Sequence, residues 1–149
     1  MVNKANVRSL LESILEVNAS SLKKGVTYEI DCPDDIEGRF DIGLIERVLH
    51  NLVGNAMRYC GAPGRIVLSG RRWLATEQSS VEIGVMNTGP QIPENIRQNL
   101  FGKYVQGKGG KRGMGLYFCR LVADAHGGRI ECEPRHDGPI FMLRLPGRA

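Results

Sequence analysis

An α+β two-layer sandwich is the fold this sequence predicts, with helices on one face of a mixed, mostly antiparallel sheet. Three observations carry it. Long stretches repeat apolar residues at helical spacing, shorter ones alternate them, and several connections between the alternating runs have hairpin length. With 149 residues the chain suits a single domain, 1–149, large enough to bury its own core. Hydrophobic residues make up 42% and charged residues 24%, the balance of a soluble folded protein.

The first helix is predicted from Val7 to about Leu22, where Val7, Leu10, Leu11, Ile14 and Leu15 form one stripe. Lys23-Lys24-Gly25 reads as its stop. Val26, Tyr28 and Ile30 alternate into a strand closed by the Cys32-Pro33-Asp34-Asp35 turn. Asp41 caps a second helix that runs to about Tyr59, and Gly61 to Gly64 is a loop. Ile66 and Leu68, then Val81, Ile83 and Val85, mark two strands of a hairpin. A short helix spans Pro93 to Leu100. Another opens at Gly113-Met114-Gly115 and stops at His126-Gly127-Gly128. Closing strands lie near Arg129 to Glu133 and Ile140 to Leu145. The glycine- and lysine-rich stretch from Gly102 to Gly113 has almost nothing to bury and is expected to be mobile.

Several function classes are disfavoured. No apolar run approaches the ~20 residues of a membrane helix, and no signal-peptide pattern opens the chain. Direct membrane contact is therefore not expected, and a cytoplasmic location is. The first helix begins almost at Met1, as in a piece of a longer protein. Cys32, Cys60, Cys119 and Cys132 are too widely spaced for a zinc site and read as small buried hydrophobes. The net charge of +4 suggests an anionic partner. A single Trp and few interleaved aromatics argue against nucleic acid.

The second helix carries the most informative pattern. Ile45, Val48, Leu49, Leu52, Val53 and Ala56 lie on one face, while Arg47, Asn51, Asn55 and Arg58 share the adjoining flank. Amide oxygens are hard ligands suited to Mg²⁺, and a guanidinium suits phosphate. An ordinary solvated face remains an open reading of that helix alone. Asn87-Thr88-Gly89-Pro90-Gln91-Ile92 then ends a strand in a glycine turn, which lets backbone approach a flat ligand. Gly113-Met114-Gly115-Leu116 opens a helix, where free N–H groups favour phosphate. Neither a dinucleotide fingerprint nor a P-loop is present, because Phe118 and Arg112 stand where those motifs need glycine and Ser/Thr.

Taken in order, these motifs resemble the ATP-binding catalytic domain of bacterial sensor histidine kinases, in the superfamily shared with gyrase, Hsp90 and MutL. The resemblance covers nearly the whole chain. It implies a Bergerat-type sandwich that binds ATP and Mg²⁺, with Asn55 as the metal ligand and Asn51 beside the metal and terminal phosphates. It also implies that Arg58 contacts phosphate and Tyr59 lies against the nucleotide. Asn87 would meet adenine, Gly89 make room and Ile92 wall the base. Phe101 would anchor a lid from Gly102 to Arg112, whose Lys108, Lys111 and Arg112 could neutralise the triphosphate. Gly113, Gly115 and Leu116 would hold the phosphates.

Relatives that hydrolyse ATP carry a glutamate where this chain has Asn51. An amide cannot take a proton from water, so transfer of the γ-phosphoryl to another acceptor is implied. In the family that acceptor is a histidine on a separate dimerisation hairpin, and the product passes to a response regulator. His50, His126 and His136 are read as surface or capping residues, not as that acceptor. Three positions depart from the family pattern. Asn87 replaces an aspartate, which should weaken adenine binding by about 1 kcal/mol and leaves base selectivity open. Gln91 replaces a glycine; a left-handed backbone there would cost roughly 1–2 kcal/mol and reshape the turn. Lys111 replaces a lid glycine. Two alternatives stay open: a regulatory or docking module with weakened nucleotide binding, and a serine kinase of the anti-sigma type.

Overall fold

The computed structural model describes residues 1–21, 23–74, 79–102 and 114–147. Among them the order is β1 (Asn3–Asn6), α1 (Val7–Val17), β2 (Val26–Asp31), β3 (Glu37–Phe40), α2 (Ile42–Tyr59), β4 (Gly64–Arg72), β5 (Val81–Asn87), α3 (Glu94–Arg97), α4 (Met114–Ala125), β6 (Arg129–Pro134) and β7 (Pro139–Leu145). Five strands form the main sheet in the order β2-β4-β5-β7-β6. β2 runs parallel to β4, and every other neighbour in that sheet is antiparallel. The expected two-layer sandwich is thus observed.

Alternation decides which sheet face is covered. Ile66, Leu68, Ile83, Val85, Leu143 and Leu145 point to the buried side, where α1, α2 and α4 lie. α2 contributes Ile45, Val48, Leu49, Leu52, Val53 and Ala56, none more than 3% exposed. Each of its Ile, Val and Leu side chains stabilises the fold by about 1.5–3 kcal/mol, so the stripe fixes the rotation of the helix. Asp41 caps α2, its Oδ1 accepting the Leu44 N–H at 3.1 Å.

Three element predictions need correction. α1 stops at Val17, well short of Leu22, because Asn18 turns back on it: its Nδ2 donates to the Ile14 carbonyl at 2.7 Å. A short 3-10 turn, Ala19–Ser21, follows. Gly25 has the left-handed backbone expected of a stop (φ 85°) but turns the chain into β2. β1 and β3 form an antiparallel pair that the pattern does not disclose, since four-residue strands carry too little alternation to register. α3 is only Glu94–Arg97, with Pro93 at the cap position.

The other face of the sheet carries a ladder of charge across four strands. Glu82 on β5 accepts from Arg71 of β4 at 2.6 Å and from Arg144 of β7 at 2.7 Å. Arg144 also pairs with Glu131 and, at 3.6 Å, with Glu133 of β6. Burial pushes the Glu82 carboxyl up, but the hydrogen bonds from Arg144 and Arg71 outweigh it and hold it below the usual glutamate value of 4.5. A depressed folded value stabilises the protein above the unfolded value, and the contribution disappears as pH falls through the folded one. We expect Glu82→Gln to lose about 1–2 kcal/mol in urea unfolding near neutral pH, and the difference from the parent to shrink on acidification below about 4. An unchanged midpoint at neutral pH would show the ladder to be ornamental.

Candidate functional site

α2 and α4 run antiparallel, and a series of contacts sets their register. The Asp41 N–H donates to His126 Nε2 at 3.1 Å, and the Arg47 guanidinium sits 4.4 Å from the Phe118 ring centroid. Cys119 Sγ donates to the Val48 carbonyl at 3.8 Å, and Asn51 Nδ2 to the Gly115 carbonyl at 3.4 Å. From Asp41–His126 at one end to Asn51–Gly115 at the other, the contacts move forward along α2 and backward along α4. α4 begins at Met114, opposite Asn51, so its first turn sits over the middle of α2. From Asn51 to Tyr59 the amide flank of α2 extends past the start of α4. That is about 12 Å of helix, the scale of an extended nucleoside triphosphate.

The far end of this stretch meets the β5 turn. Gly89 has φ 136°, and a Cβ on it would stand 3.3 Å from the Tyr59 carbonyl oxygen. A glycine is therefore required both by the backbone and by the approach of α2. Cys60 Sγ lies 3.6 Å from Thr88 Oγ1, which also accepts the Arg65 N–H at 3.0 Å. The elements named from sequence thus meet along one stretch of α2: the Gly115 turn touches it at Asn51 and the Asn87–Gly89 turn at Tyr59. Ile92 is half-buried against the core, and Leu116 is buried at the foot of α4. Phe101 packs edge-on against Phe141, ring centroids 6.0 Å apart. Lys108, Lys111, Arg112 and Gly113 lie outside the described residues.

Individual side chains divide by what they touch. Asn55 is half-buried, and among the described residues neither end of its amide has a hydrogen-bond partner. Arg47, on the same flank, is committed to Phe118. Arg58 and Tyr59 are exposed, the guanidinium 5.8 Å from the ring centroid. Asn87 is only 3% exposed, and its Nδ2 donates to the Thr88 carbonyl at 3.0 Å. That partner settles the amide orientation, because the flipped form would set two oxygens together. The left-handed backbone that would have strained Gln91 is not found. Among the described residues no non-glycine residue has positive φ, and the Gln91 side chain instead donates to the Arg135 carbonyl.

Two residues stand beside these contacts without having been singled out for them, although Cys119 is buried as expected. Cys119 lies under Asn51, fully buried, and burial pushes its thiol up to about 12 against the lowering effect of the Asn51 amide. Asp137 lies far away in sequence, yet its carbonyl accepts the Gly89 N–H at 3.1 Å. A separate concavity of about 330 Å³ opens on the uncovered sheet face, lined by residues including Arg65, Val67, Met86, Arg135, His136 and Ile140. It faces away from the amide flank and gathers none of the residues singled out for nucleotide.

A family model described as histidine kinase-, DNA gyrase B-, and HSP90-like ATPase matches residues 40–149. The adaptive-response sensory kinase SasA of Synechococcus sp. (strain CC9902) is 34% identical, over 91% of this chain and 36% of that protein. The sensor protein KdpD of Escherichia coli (strain K12) is 34% identical over 69% of this chain and 12% of that protein. The chain thus spans well under half the length of these relatives. Among solved structures, the nucleotide-free catalytic domain of histidine kinase ThkA superposes with a TM-score of 0.88 at 27% identity, covering 99% of this chain and 96% of that one. ThkA in complex with the response regulator protein TrrA matches with a TM-score of 0.83 at 26% identity, covering 99% of this chain and 42% of that one.

Two outcomes check this geometry. Gly89→Ala should cost about 1–2 kcal/mol in denaturant unfolding, since it puts a side chain on a left-handed residue against the Tyr59 carbonyl. Cys119 should resist alkylation at mildly alkaline pH until the chain unfolds, as a buried protonated thiol must. Mass spectrometry showing Cys119 modified at the rate of a free thiol would contradict the packing of α4 on α2.

Proposed function

The chain belongs to the histidine kinase-, DNA gyrase B- and HSP90-like ATPase family, and on that premise we propose that it binds Mg²⁺-ATP along the amide flank of α2 and delivers the γ-phosphoryl group to a histidine on a separate dimerisation hairpin. The observation that carries this reading is the shared stretch of α2: Asn51 touches Gly115 while, two turns on, the Tyr59 carbonyl meets Gly89.

The base end is read as the pocket of Asn87, Gly89, Ile92 and Tyr59, and the phosphate end as Asn51, Arg58, Gly115 and Leu116. Gly113, Lys108, Lys111 and Arg112 are assigned to the same end, and Phe101 to the root of the lid that carries them. The residues present suit Mg²⁺. Asn55 offers an uncommitted amide oxygen, and among the described residues no cluster of His, Cys, Asp and Glu competes to make an all-protein cage. A metal that keeps its waters and bonds to phosphates needs only one or two such protein oxygens. When bound, it would neutralise charge on the terminal phosphates.

The protein's own part is positioning and charge. The flank of α2 aligns the polyphosphate, and the positive dipole end at the start of α4 favours its negative charge. Asn51 can orient by hydrogen bonding but cannot act as a base, so water is not activated and the phosphoryl group is kept for an imidazole. The hairpin histidine and a response regulator are the partners this reading requires. A cytoplasmic site, where ATP is available, is part of the same proposal. None of the helices among the described residues is long and apolar enough to cross a membrane.

Calorimetry with ATP and Mg²⁺ tests the proposal. We expect saturable binding with Kd of order micromolar, lost on chelation of the metal and in Asn55→Ala. Added to a histidine-bearing hairpin domain, the parent chain should label it from γ-labelled ATP. No saturable binding at millimolar ATP would remove the kinase reading.

A further inference from the structure

Resting on that nucleotide reading, we infer that Cys119 is a positioning residue for the phosphate end: its buried side chain supports the Asn51 amide and sets where that amide meets the terminal phosphate. Asn51 is half-buried on the flank of α2. Its Nδ2 donates to the Gly115 carbonyl at 3.4 Å, beyond the usual range of about 2.7–3.2 Å, so this contact alone holds the amide loosely. What stands behind the amide therefore decides where it points. A Cβ on Gly115 would lie 3.4 to 3.7 Å from Asn51 Cγ, Oδ1 and Nδ2, so the first turn of α4 lies flat against the amide. Cys119 follows Gly115 by four residues and shares its helix face. It is fully buried, and its Sγ donates to the Val48 carbonyl at 3.8 Å. Val48 precedes Asn51 by three residues on α2, which places the sulfur beneath the same face.

A thiol suits this position. Burial pushes it up to about 12, so it stays protonated at neutral pH and puts no charge beside a polyphosphate. Its S–H goes to Val48, which leaves the sulfur lone pairs for the Asn51 amide, and the bond between the two side chains lowers the thiol against the larger effect of burial. An aliphatic side chain would fill the space and offer the amide nothing. The sulfur is itself held in place, because Phe118, the residue before it, stacks under the Arg47 guanidinium at 4.4 Å. Asn51 cannot act as a base, so its contribution rests on position, and the sulfur supplies that position.

Two measurements on the chain test this. The first needs no nucleotide. The Asn51 side-chain amide signals in a ¹⁵N–¹H spectrum, assigned by their loss in Asn51→Ala, should shift in Cys119→Ala. Cys119→Ser, which keeps a donor and an acceptor, should return them toward the parent. The second is the preference for ATP over ADP with Mg²⁺, read by calorimetry as the ratio of their dissociation constants. Cys119→Ala should lower that preference about three-fold or more through weaker ATP binding, with ADP unchanged, and Cys119→Ser should stay within about two-fold of the parent. In an Asn51→Ala background, Cys119→Ala should have no further effect on the ratio. A substitution that merely loosens α4 would weaken both nucleotides alike, in either background. Asn51 signals unmoved in Cys119→Ala, or equal losses with and without the Asn51 amide, would overturn the inference and leave the nucleotide reading intact. Failure of the parent to bind either nucleotide would remove the nucleotide reading and the positioning role together.

Discussion

The rotation of α2 is the constraint on which the rest depends. Its buried stripe is anchored in the core between α1, α4 and β5, so the helix cannot turn without exposing several aliphatic side chains at once. With the stripe buried, Asn51, Asn55 and Arg58 have a single orientation, along the edge where α4 has not yet begun. The same packing places the last carbonyl of the helix against Gly89. The stretch to which the proposed function assigns the nucleotide is the part of α2 that runs on toward its C-terminus past the start of α4.

The two ends of this stretch are built differently. At the Gly115 end, among the described residues, Asn51 donates a long hydrogen bond to the Gly115 carbonyl above the buried Cys119 thiol. At the Asn87 end the turn sits inside a ring of backbone and ionic ties from two other strands. The Asp137 carboxyl is held below its usual range by its hydrogen bond to His136, against a smaller burial effect, and the Arg65 charge adds to this. On the proposed reading, the tied turn at Asn87 would hold the base and the Gly115 end would receive the phosphates.

Much of this was legible in the residues. α2 announces itself by a clean stripe, an Asp cap and eighteen residues of uninterrupted pattern, and its bounds agree with the structure. Gly89 could be singled out because a turn after a strand needs a residue free to take positive φ. What escaped was short or long-range. β1 and β3 are too brief for a period, and Asn18 ends α1 by a local side-chain bond that no spacing rule anticipates. Gln91 looked like a strained substitution because sequence alone fixes neither φ nor the neighbour its side chain finds across the sheet. Asp137 has a role only because β7 returns beside β5, a fact of topology.

The central claim is that the triphosphate sits along the amide flank of α2, not in the concavity on the open face of the sheet. A crystal structure with a non-hydrolysable ATP analogue and Mg²⁺ tests it directly. The account predicts the base beside Asn87 and Gly89, the ribose over the last turn of α2, and the phosphates between Asn51, Asn55 and Gly115. Density for the nucleotide among Arg65, Arg135 and His136, with the amide flank of α2 left bare, would contradict it.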